Sequence, residues 1–140
     1  MSPRTGDDTG SAIVEFVVLG IGLLIPLVFV VQAAMALHAA ALASGLAVRE
    51  AARAFGSAET VAEGRHRADV AARLAFADQG LDLPPGTMRV ACADGPCLAP
   101  GSAVVVSLQW EVPLPWLRWA VPVAARQRVP IDDYRGDPQP

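Results

Sequence analysis

The sequence predicts an α+β protein: a long N-terminal transmembrane helix that continues into a small extracytoplasmic domain with a second helix and a short antiparallel sheet. Three observations predict it. Residues 16–31 form 16 consecutive positions without a polar side chain. An alanine-rich helical pattern follows that run, and from Leu83 onward apolar residues alternate with polar ones at the period of a strand. Finally, 53% of the residues are hydrophobic and 18% charged, with a mean hydropathy of +0.38, more apolar than a small soluble domain or a disordered chain.

The totals exclude several classes. At 140 residues and 14.6 kDa the chain holds one small domain, and a segment in lipid leaves about a hundred residues to fold outside it. A formal charge of −3 and a pI near 5.2 exclude nucleic acid as a partner, since phosphate recognition needs a basic face. All 11 basic residues are arginine, and together with the weight of Ala, Gly, Pro and Val this suits a G+C-rich bacterial gene.

The first element is a polar leader, residues 1–10, followed by the membrane helix, residues 11–37. If Glu15 and Gln32 are tolerated, the apolar stretch covers residues 12–37 and rises roughly 39 Å, against a hydrocarbon core of about 30 Å. The lipid bilayer is therefore the first expected partner. A buried core helix is a poor reading, because so short a remainder cannot wrap it on every side. Pro26 removes one backbone hydrogen bond and predicts a mild kink. A secretory signal peptide cut after the Ala-x-Ala at residues 34–36 is opposed by the acidic leader, the long apolar run and the helical alanine sequence that continues through the supposed cut.

Glu15 is the most informative residue. A carboxylate inside a span is expensive and points to a partner or a role, unless it lies at the interface where the cost is small. Gly10 precedes Ser11, Glu15 is the fifth residue counted from Ser11, and the apolar run begins around it.

The string TGSAIVEFVVLG resembles the processing region of type IV pilin-like proteins, specifically the TadE-like minor pilins, or pseudopilins, of tight-adherence pili. The segment REAARAF and the late VPIDDYR are similar to stretches of actinobacterial members. The resemblance covers the first 55 residues well and the remainder in outline. It implies that a prepilin peptidase cuts between Gly10 and Ser11 on the cytosolic face, leaving the helix at a new amino terminus. It also makes Glu15 the acidic residue of assembly and Phe16 the aromatic that follows it. The implied partners are the prepilin peptidase, the major pilin, and other minor pilins or assembly-platform proteins. The implied role is assembly or priming of the pilus. The leader carries Asp7 and Asp8 where the family has basic residues, and Ser11 is small where ordinary pilins have a bulky one. Physical chemistry agrees with the assignment of Glu15: cleavage frees an amine at Ser11, and at low dielectric such an amine needs a carboxylate, which Glu15 of a neighbouring subunit supplies while setting the axial register. The alternative is a generic single-pass anchor carrying an extracytoplasmic binding domain, in which Glu15 is incidental.

Residues 38–55 read as a helical stalk. Ala36, Ala40 and Ser44 repeat every four residues, as do Ala43, Ala47 and Ala51, and such small rows admit close approach of another helix or simply reflect alanine's helix propensity. Gly56 and Ser57 provide a stop and a restart. A small α+β domain is expected over residues 56–130, with a second helix over 58–79. Glu63 with Arg67 and Asp69 with Arg73 are i,i+4 pairs. Val61, Ala68, Ala72 and Ala75, with Val70, Leu74 and Ala77 beside them, form its apolar face.

In the first strand Met88, Val90 and Cys92 alternate with Arg89 and Ala91. The second places Val104, Val106, Leu108, Trp110 and Val112 on one face and Ser107, Gln109 and Glu111 on the other. A third carries Val121, Val123, Ala125 and Val129 against Arg126 and Arg128, with Pro122 placing it at an edge near its start. The second helix and the distal part of the first are the available cover for this sheet. Trp110 reads as core, Trp116 and Trp119 as more exposed. Residues 131–140 read as a polar, turn-rich tail in which the Arg-Gly-Asp at 135–137 supports no adhesion role.

Cys92 and Cys97 are too few to hold zinc, and no metal or other cofactor is expected. Their C-x4-C spacing closes a small disulfide loop if the domain faces an oxidising compartment; a cytosolic domain would keep them reduced. His38 reads as an interfacial polar residue and His66, between Arg65 and Arg67, as part of a surface basic cluster. There is no phosphate loop, no metal-spaced histidine pair and no nucleophile with an evident base, so an enzyme is not expected.

Overall fold

The computed structural model describes residues 8–114 and 118–134, with side chains from Ala12; the expected leader up to residue 7, Trp116 and the Arg-Gly-Asp at 135–137 lie outside the described residues. The chain divides into two compact units, Met1–Met35 and Ala36–Pro140.

Helix α1, Asp8–Gly56, contributes to both units, and its helical backbone is unbroken at Pro26. In the first unit its large apolar side chains are exposed throughout, from Ile13 to Val31. The most apolar 18-residue window of this helix has a mean hydropathy of 2.7 and is nowhere buried among the described residues. A helix that is apolar all round and uncovered requires lipid. Among the described residues α1 is the one helix long and apolar enough to cross a membrane, which makes the described chain single-pass.

In the second unit the same helix becomes the core of the domain. Ala40, Ala43, Ser44, Ala47, Val48, Ala51, Ala52 and Phe55 are all buried. The small rows are therefore covered by the protein's own fold, not held open for a partner helix. The segment read as a stalk supplies the cover that the sheet needs.

Helix α2, Val61–Ala77, starts at Thr60, not at the expected Ser57. The Glu63 N–H donates to Thr60 Oγ1 at 3.2 Å, and the Glu63 carboxylate accepts from the Glu59 N–H at 3.1 Å. The Thr60 oxygen satisfies one N–H left open by the helix end while the Glu63 carboxylate holds the residue before the cap, whereas Ser57 Oγ donates to the Ala54 carbonyl of α1. Gly80, at φ 68°, closes the other end and lets the Leu81 N–H return to the Phe76 carbonyl at 3.0 Å. Both expected ion pairs form, Arg67 with Glu63 at 2.6 Å and Arg73 with Asp69 at 2.7 Å. The Asp69 carboxylate, hydrogen-bonded by Arg73 Nε, pushes the guanidinium pKa up.

The buried face of α2 is narrower than its periodicity suggests. Gly64, Ala68, Ala72, Ala75 and Phe76 are buried, while Val70 and Leu74 are exposed, Leu74 by 62%. The physical reason is close packing. A β-carbon at Gly64 would stand 3.0 Å from the Phe55 ring, so the absent side chain is what admits that ring. Helix propensity alone makes a glycine at this position only a weak point in the helix.

The sheet contains β1, Met88–Ala93; β2, Ala103–Pro113; and β3, Ala120–Pro130, antiparallel in the order β1-β2-β3. Its inner face stacks Val90 on Val106 and Leu108 on Ala125 across the strands. Trp110 meets Phe76 of α2 edge to face, with ring centroids 5.3 Å apart. Both prolines of β3 sit on an edge strand, where a missing N–H costs no ladder bond. Ile131, expected in the tail, is only 4% exposed, and its N–H donates to the Ser102 carbonyl at 2.8 Å. Residues 132–134 are exposed.

Candidate functional site

Three places carry chemistry that packing does not explain. The first is the start of the membrane helix. Gly10 and Ser11 lie within α1. Glu15 and Phe16 are exposed there, Phe16 by 78%. Among the described residues no cation pairs with Glu15. A carboxylate at the edge of a lipid-embedded helix is tolerable near the headgroups and becomes costly only if drawn deeper without a counter-charge. Glu15 lies four residues, about one helical turn, beyond Ser11 on the same helix, and its side chain is exposed.

The second place is the corner between β1 and β2. Cys92 and Cys97 are joined by a disulfide, with their α-carbons 4.7 Å apart. Cys97 is buried and Cys92 exposed. The loop between them turns through Asp94 and Gly95, whose φ values of 65° and 120° occupy the region that disfavours most side chains. Arg128 of β3 binds the Asp94 carboxylate, tying the far edge strand to this loop. A structural disulfide persists outside the reducing cytosol, so the folded domain that carries the Cys92–Cys97 bond is extracytoplasmic. With one span, that places the N-terminal end of the helix on the cytoplasmic side.

The third place is the outer face of the sheet. The register sets Arg89 of β1, Ser107 of β2 and Arg126 of β3 side by side across the three strands. They line a surface concavity of about 580 Å³, together with Thr87, Gln109 and Ala124. Among the described residues neither arginine has an ion-pair partner. Reading the strands one at a time did not reveal this row. The signal was an arginine on the outward parity of both flanking strands, but only pairing shows that they face the same serine.

The remaining candidates are separate from these. His38 and His66 are both exposed, on different helices. Among the described residues no group of three or more His, Cys, Asp or Glu side chains is placed to hold a metal ion. Trp110 is buried and Trp119 is 74% exposed.

No protein-family model, curated protein or solved structure matches this chain.

Proposed function

We propose that this single-pass protein is a structural and not a catalytic component of the cell envelope, a minor pilin or pseudopilin that takes part in assembling or priming a tight-adherence-like pilus. The observation that carries the reading is the order of features along one helix. A small-residue junction, Gly10-Ser11, precedes Glu15 and Phe16, the lipid-exposed stretch follows, and the same α1 then supplies the core of the outer domain. Leu42 and Leu46, four residues apart on the distal part of α1, remain exposed, which supports packing against another helix.

The mechanism is mechanical and electrostatic. The helix waits in the membrane, the prepilin peptidase removes the leader, and the new Ser11 amine meets Glu15 of an adjacent subunit. Intact-mass measurement of the membrane-extracted protein, co-expressed with an active prepilin peptidase, tests this. A chain starting at Ser11 is expected, and Gly10 replaced by a bulky residue leaves an uncut but inserted precursor. A chain that keeps its leader beside an active peptidase overturns the reading.

A second reading rests on the established architecture alone: a single-pass anchor that presents a small binding domain, with no role for Glu15. It is favoured if the leader stays attached and the outer domain binds a ligand unaided.

A further inference from the structure

We propose that Arg89, Ser107 and Arg126 form a binding site for a dianionic phosphate, either free phosphate or the terminal group of a small phosphomonoester, on the outer face of the sheet. The inference is independent of the pilin reading.

Arg89 and Arg126 both pair with Ser107, so their β-carbons are two strand spacings apart, about 10 Å. Two arginine side chains on one face across that gap can converge on a single group above the central residue. The central residue is a small hydroxyl, which leaves room for the group and offers it a hydrogen bond. Gln109 and Ala124, the next row of β2 and β3, continue the floor with an amide and a methyl group. The concavity of about 580 Å³ is the size of a small-molecule site.

Charge gives the class of ligand. Arg128, two residues along β3, already has the Asp94 carboxylate. Among the described residues Arg126 and Arg89 have no such partner, and the nearest acidic position on the same face of β2, Glu111, is four residues from Ser107, about 13 Å along the strand. Two uncompensated guanidinium groups therefore face one hydroxyl. A monoanion neutralises half of that charge. A phosphomonoester carries about −1.5 to −2 at pH 7 and offers three acceptor oxygens, enough for two forked guanidinium contacts and the Ser107 hydroxyl.

The test uses the full-length protein in neutral detergent at fixed ionic strength, titrated with methyl phosphate and, separately, dimethyl phosphate. Saturable one-to-one binding of methyl phosphate is expected with a Kd of about 1 mM or tighter. Arg89→Gln and Arg126→Gln should each weaken it about tenfold, or about 1.4 kcal/mol, while Arg128→Gln leaves it unchanged. Binding should also fade below about pH 6, where the dianion takes up a proton and becomes a monoanion. Dimethyl phosphate should bind at least about tenfold more weakly; equal affinity would overturn the dianion assignment and point to a phosphodiester such as a lipid headgroup. Absence of saturable methyl phosphate binding, or equal affinity in wild type and both arginine variants, would overturn the site itself. The altered side chains are exposed, and an intact Cys92–Cys97 bond in each variant verifies the fold.

Discussion

The Trp110 indole N–H donates to Ser44 Oγ at 3.0 Å, and the Ser44 hydroxyl passes its own hydrogen on to the Ala40 carbonyl at 2.8 Å. Both residues are buried, 66 positions apart in the chain. The contact joins the middle strand to α1 and satisfies the polar atom that a buried tryptophan brings with it. It also explains why a serine interrupts the alanine rows.

Ser44→Ala leaves that indole N–H buried without a partner and should lower domain stability by about 1–3 kcal/mol. In Trp110→Phe the donor is already gone, so adding Ser44→Ala should do little more. Urea unfolding of the four proteins in detergent, followed by circular dichroism, measures the coupling. Additive effects would mean that the hydrogen bond contributes nothing of its own.

Two glycines within helices should respond in opposite directions to alanine. At Gly45 no atom lies within 4 Å of an added β-carbon, so Gly45→Ala should stabilise by about 0.5–1 kcal/mol through helix propensity. At Gly64 the same β-carbon meets Phe55 ring atoms at 3.0, 3.1 and 3.2 Å. The ring is fully buried and cannot retreat freely, so overpacking of about 1–3 kcal/mol outweighs the propensity gain. A stabilised Gly64→Ala would show that the Phe55 ring relaxes.

The Cys92–Cys97 bond closes a short loop and should contribute about 2 kcal/mol by restricting the unfolded chain. Protein alkylated without reductant should carry no label at either cysteine, and reduction should then expose both. Rapid labelling of both in freshly isolated protein would contradict the bond and the extracytoplasmic placement argued from it.

Glu15→Gln should leave insertion and leader removal near normal, because the side chain lies close enough to the cytoplasmic end to reach headgroups. Under the proposed pilin reading it should reduce crosslinking to a major pilin, since that reading has Glu15 compensate the Ser11 amine of a neighbouring subunit. Crosslinking at matched expression levels reads the difference. Wild-type yields for the variant would remove the registering role and favour the simple anchor.

The sequence by itself determined the elements whose signal is local. A run of apolar side chains longer than the hydrocarbon thickness specifies a span without reference to the rest of the chain. Strict alternation from Val106 to Val112 specifies which side chains of that part of β2 face the core, because the strand period is two. The i,i+4 pairs of α2 were legible for the same reason. What only the tertiary structure decided depends on residues distant in sequence. Alanine rows suit a partner helix and an internal one equally, and the choice fell to the chain's own sheet and second helix once they folded over α1. Gly64 looks like a weakness until Phe55 arrives against it. Thr60 displaced Ser57 as the cap because its oxygen stands where the Glu63 N–H points. The arginine pair became a site only when the register put Arg89 and Arg126 on either side of Ser107, a juxtaposition set by strand pairing and written in no single stretch of chain.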